Sequence, residues 1–168
     1  MYEAVLIVLI VLADQISKIV VRANMALGES IDVIEGFFAL TYYNNDGAAF
    51  SSFRGQRILL IVVSVIAIVL TLIFLWKNKK TAKGKGYYIY ATSLAMICGG
   101  GIGNLIDRAL FGSVTDMLSF SIFPPIFNVA DIGVTVGCGL LIIYILLFEM
   151  KEEKESKDLN KTEETEEL

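Results

Sequence analysis

The sequence predicts a mainly α membrane protein, with four transmembrane helices and a small outward-facing β-sheet on the extracytoplasmic side. Three observations carry this prediction. The 168 residues are 55% hydrophobic, with a mean hydropathy of +0.66, well above a soluble domain and one domain in length. Their apolar residues gather into four runs close to the roughly 20 residues that a bilayer-spanning helix needs. The segments that follow the first and third runs are instead rich in β-branched and aromatic residues, as strands are.

The first run, from Ala4 to about Val21, is interrupted by Asp14 and Lys18. Four residues apart on a helix, they share a face and can pair. The run has no basic leader and no small-x-small cleavage site, so it reads as a span and not as a removable signal peptide. "ESIDVIEGFFALTYYNNDGAAF" (29–50) alternates in part and predicts strands, within an outer sheet and loop of about 24–56. Uncharged runs then fill 58–76, 86–106 and 132–148 as the second, third and fourth spans. "SVTDMLSF" (113–120) predicts a short strand that ends at an "FPP" turn (123–125). Glycines 99, 100, 101 and 103 lie inside the third span, where small residues let helices pack closely. "GGGIG" is no phosphate loop, because no strand precedes it and no lysine follows it.

Residues 1–150 thus form a single four-helix domain. Residues 151–168 carry eight acids and four lysines and almost nothing apolar. Such a composition cannot offset the entropy of ordering and predicts a disordered acidic tail. "KNKKTAKGKG" (77–86) joins the second and third spans with five lysines and no acid. Short basic loops stay cytoplasmic, so both termini are expected inside and residues 22–57 and 108–131 outside. A single basic loop between two spans is a topology signal, and no nucleic-acid partner is expected.

Charge is costly near hydrocarbon, yet Asp107, Arg108, Asp116 and Asp131 fall within 25 residues. With this topology they join Asp14, Lys18, Asn45, Asn104 and Asn128 in one layer toward the outer face. The chain has no histidine and only Cys98 and Cys138 as thiols, both in apolar runs and read as packing residues. That removes Ser-His and Cys-His nucleophile pairs and leaves no zinc ligand set, so neither a metal nor a cofactor is expected. Any chemistry must run on carboxylates. Two that approach closely would share one proton, one accepting a proton from water while the other donates to the reacting group. Spacing alone permits this meeting without requiring it. A transporter or proton pathway using these carboxylates is the first alternative, although it would need polar groups near the midplane and a route to both sides. A non-catalytic lipid-binding or assembly subunit is the second.

The ordered blocks "DQISK" (14–18), "NDGAAF" (45–50), "GNLIDR" (103–108), "VTD" (114–116) and "FNVAD" (127–131) resemble those of the lipoprotein signal peptidase (signal peptidase II) family. The family comprises bacterial inner-membrane aspartyl peptidases, and the resemblance spans nearly all of residues 4–149. It implies an endopeptidase that cleaves diacylglyceryl-modified prolipoproteins on the amino side of the lipidated cysteine. It also implies membrane lipids as surroundings and a globomycin-type cyclic peptide as inhibitor. Asp116 and Asp131 match the catalytic pair. Asn45, Asn104, Arg108 and Asn128 match residues around the substrate backbone, while Asp14, Lys18, Gly47 and Asp107 match supporting positions. Asn44 stands where many members carry a basic residue. Asp131, at the start of the fourth helix with Asn128 as its cap, is expected to favour the charged form, leaving the shared proton on Asp116.

Overall fold

A computed structural model describes residues 2–47, 53–78 and 85–149. Its elements run α1 (Tyr2–Asn24), β1 (Ser30–Ile34), β2 (Phe38–Asn45), α2 (Arg57–Asn78), α3 (Lys85–Phe111), β3 (Val114–Phe120), β4 (Phe123–Phe127) and α4 (Val129–Tyr144). A π-helical turn, Ile145–Glu149, extends α4. Most of the lysine-rich loop, residues 79–84, and the acidic tail from 150 onward lie outside the described residues, as do Ala48–Phe50 of the "NDGAAF" block.

Among the described residues, four helices are long and apolar enough to cross a membrane, as the sequence predicts. They are not equivalent. The span in α3 is the least apolar and more than half buried, whereas those in α1, α2 and α4 are more apolar and largely exposed. The least apolar helix is the central one: α1, α2 and α4 all pack on α3. Protein surrounds it, while large side chains such as Ile58, Val63, Ile66 and Phe74 of α2 remain exposed to lipid. At 27 residues, α3 is about 40 Å long, more than a hydrocarbon core of about 30 Å.

The glycines of α3 permit its close packing. A Cβ at Gly100 would collide with the carbonyl oxygen of Ala130, and one at Gly103 would lie 2.5 Å from Oδ2 of Asp14. Gly112, at φ +84°, follows α3 and turns the chain into β3 through the left-handed region that side chains avoid. Arg57 of α2 donates from Nε to the Arg108 carbonyl and from Nη2 to the Ala109 carbonyl, both at 2.8 Å, satisfying acceptors left free where the helix ends.

The strands form one antiparallel sheet in the order β1-β2-β3-β4. It draws half its strands from 114–127, so the sheet is wider than residues 24–56. One local expectation is corrected. The chain turns at residues 121–122, and "FPP" opens β4 instead of forming the turn. β4 is the sheet's edge, where prolines lose no ladder bond on the open side. Phe123 and Phe127 pair with Phe120 and Leu118 of β3, and the Phe120 and Phe127 rings stack at 5.8 Å. Cys98 is buried in the α3 core, whereas Cys138 is exposed on α4.

Candidate active site

The polar layer anticipated in the sequence is a continuous hydrogen-bonded cluster at the sheet end of the bundle. It starts on α1. Lys18 and Asp14, both fully buried, pair at 2.9 Å, and the same ammonium lies 3.4 Å from Asp107 of α3. A buried cation between two carboxylates is a compensated charge, not an isolated one. Asp14 also accepts from the backbone N–H of Ala130 at 2.9 Å, tying α1 to the first turn of α4.

Lys18 then orients an amide. Its ammonium donates to Oδ1 of Asn104 at 3.0 Å. Because an ammonium has no acceptor, the oxygen of Asn104 must face it, and the NH2 group must face the other way. That NH2 donates to Oδ1 of Asp131 at 2.8 Å. Asn128 repeats the pattern. Its Nδ2 donates to Oδ1 of Asn104 at 3.1 Å and to Oδ1 of Asp116 at 2.6 Å. Its oxygen accepts from the N–H of Asp131 at 2.9 Å, while Oδ2 of Asp131 accepts from the N–H of Asn128 at 3.2 Å. This reciprocal pair is the capping box of α4. It fixes the Asp131 carboxylate at the end of a rigid helix.

Asp116 comes from β3 and is 1% exposed. Its Oδ2 accepts from Nδ2 of Asn45 at 3.0 Å, and the oxygen of Asn45 accepts from the N–H of Gly47. Arg108 donates to the carbonyl of Gly47 at 3.1 Å. Burial pushes the Asp116 carboxyl up to about 7, and the charge of Asp131 adds to the rise against the hydrogen bonds from Asn45 and Asn128. Two carboxylates that sense each other in this way titrate as a pair.

Both carboxylates line one cavity of about 590 Å³, together with Asn45, Asn104 and Arg108. Its other walls are apolar, including Phe123 and Phe127 of β4 and Ile132 and Val136 of α4. The cavity can therefore hold a chain that is polar at one end and hydrocarbon along its length. Among the described residues, no three His, Cys, Asp or Glu side chains are grouped as metal ligands.

All ten residues singled out in the sequence belong to this cluster or touch it. Asn128 is 0% exposed, with its Nδ2 donating to Asn104 and Asp116 and its oxygen accepting from the N–H of Asp131. Three participants were missed. Gln15 donates to Asp14, to the Gly103 carbonyl and to Asp107. Arg22 and Thr115 bond each other at 2.9 Å beside Asp107. The spacing 14, 18, 22 was the available signal for Arg22, which a span ending near Val21 left out.

A bundle of membrane helices with a carboxylate pair at one end, opening into a part-polar and part-hydrocarbon cavity, has the layout of a membrane aspartic peptidase. Comparison with known proteins gives the particular family. The family model described as Signal peptidase (SPase) II matches residues 6–147. A lipoprotein signal peptidase of Halothermothrix orenii is 43% identical over 141 residues, covering 84% of this chain and 92% of that protein. One from Symbiobacterium thermophilum is 38% identical, covering 90% and 98%. A bacterial membrane enzyme solved by the in meso method at 2.3 Å resolution superposes with a TM-score of 0.78 at 30% identity, covering 86% of this chain and 87% of that one. The chain belongs to the signal peptidase II family, and it is an aspartic peptidase of a multi-pass bacterial membrane type.

Proposed function

We propose that the protein removes the signal peptide from diacylglyceryl-modified prolipoproteins, cutting on the amino side of the lipidated cysteine, with Asp116 and Asp131 as the catalytic pair. The observation that carries this reading is the meeting of both carboxylates in one cavity. Asp116, raised to about 7, holds the shared proton near neutral pH. Asp131 takes a proton from a water whose oxygen attacks the scissile carbonyl carbon, while Asp116 protonates the carbonyl oxygen. The tetrahedral intermediate then collapses. The carbon–nitrogen bond breaks as the leaving amine of the cysteine takes the proton from Asp131, and Asp116 recovers its own from the intermediate's hydroxyl.

Asn45, Asn104 and Arg108, which line the cavity, meet the extended substrate backbone, with Asn128 behind them. Asn104 and Asn128 also hold the carboxylates, and Asp14, Lys18, Asp107 and Gly47 support them. The apolar wall takes acyl chains that continue into the surrounding membrane lipids. The lysine-rich loop puts both termini in the cytoplasm and the cavity near the outer leaflet of the inner membrane. Residues 1–150 are the peptidase unit, the acidic remainder is an appended tail, and a globomycin-type cyclic peptide occupies the cavity as an inhibitor.

The test is cleavage of a purified lipidated precursor followed by mass analysis of both products. The reading expects one cut, immediately before the modified cysteine, blocked by globomycin. Equal cleavage of an unlipidated precursor, or a cut elsewhere, would contradict it.

A further inference from the structure

We infer that Arg22 is a positioning residue for Asp116, acting through Thr115 to hold β3 in register; this deepens the peptidase reading and rests on it. Arg22 lies in the last turn of α1, with its side chain 19% exposed. Its Nη1 is 2.9 Å from Oγ1 of Thr115 and 3.4 Å from Oδ1 of Asp107, and the guanidinium carbon sits 4.4 Å from the centre of the Phe111 ring. Asp107 accepts the backbone N–H of Thr115 through Oδ2 at 2.9 Å. Thr115 is thus gripped twice, once by its backbone and once by its side chain, from two different helices.

The strand needs this grip at this place. Pairing of β2 with β3 matches Leu40 to Leu118 and then Tyr43 to Asp116, so β2 advances three residues while β3 advances two. Asp116 therefore borders an irregularity, where ladder bonding is locally broken and register is weakly held. Successive residues of a strand point to opposite faces, so a one-residue slip would turn Asp116 away from the cavity and bring Thr115 toward it. The clamp takes hold of Thr115 on the face away from the cavity. A guanidinium suits the task because Nη1 reaches both acceptors while the guanidinium carbon sits over the Phe111 ring. Lys18 cannot substitute, being already committed to Asp14, Asp107 and Asn104.

The test compares full-length wild type, Arg22→Met, Arg22→Lys, Thr115→Val and the double variant Arg22→Met/Thr115→Val, on a lipidated precursor and by thermal melting. Arg22→Met should bind precursor with KM within about twofold of wild type while kcat falls by roughly 10- to 100-fold, as a misplaced reacting group demands. Arg22→Lys should fall between the two. Thr115→Val should lose about tenfold in kcat, and adding Arg22→Met to it should cost little more, because both act on one contact. Wild-type kcat in Thr115→Val, which keeps the shape of the side chain, would overturn the inference even if Arg22→Met failed to fold. Independent, multiplying losses would overturn it too. Failure of the wild type on a competent precursor would sink the peptidase reading itself, which sets that outcome apart.

Discussion

Asp116 is the residue with the most at stake. Its carboxyl is raised from 3.8 to about 7, chiefly by burial. The folded state therefore holds a proton that the unfolded chain releases near pH 4. Stability from this group is complete below about pH 4 and is lost as pH rises through 7, a drop on the order of 2–4 kcal/mol. Melting curves of the detergent-solubilised protein should show that fall between about pH 4 and 7, and Asp116→Asn should lack this component of the slope. An unchanged slope in the variant would place the titration elsewhere. Lys18 makes the opposite case. Replaced by Met, it would leave Asp14 buried without its cation and Asp107 with Arg22 alone, at a cost of about 3–5 kcal/mol. Equilibrium unfolding would measure it, and Lys18→Met as stable as wild type would contradict a supporting role for this ion pair.

At the level of elements, α3 organises the fold because it can be approached closely. Gly100→Ala should cost about 1–3 kcal/mol and depress activity, because the new methyl collides with the backbone of α4 just before Asp131. Gly139→Ala, on α4 with nothing within 4 Å, should be neutral or slightly stabilising. Equal melting temperatures for the two variants would show that the α3–α4 interface yields. The elements also explain what could be read beforehand. Four spans were legible because lipid imposes length and hydropathy on them directly, and the strands before Gly47 because alternation and β-branching are local signals. "FPP" was misread since proline marks turns in most settings, and only tertiary placement at a sheet edge exempts it. Arg22 was lost at the boundary, because an apolar run does not reveal how far its helix continues into water.

For the whole molecule, the sequence carried the inventory of the site better than its wiring. That Asp116 and Asp131 occupy one layer could be inferred from topology. That Asn104 and Asn128 face inward, each amide oriented by its neighbours, depends on closing chains 24 residues apart into a 3.1 Å contact. No spacing rule predicts such closure. The result is a rigid support of buried charge and amides on one side of the carboxylates and a cavity on the other.

The central claim is that these two carboxylates perform the hydrolysis. Its most direct test is cleavage of a lipidated prolipoprotein by purified wild type, Asp116→Asn and Asp131→Asn, each checked for folding by thermal melt. The account predicts two folded variants with turnover reduced by at least roughly 10³-fold, as loss of an acid–base partner implies. Substantial turnover in either folded variant would contradict it.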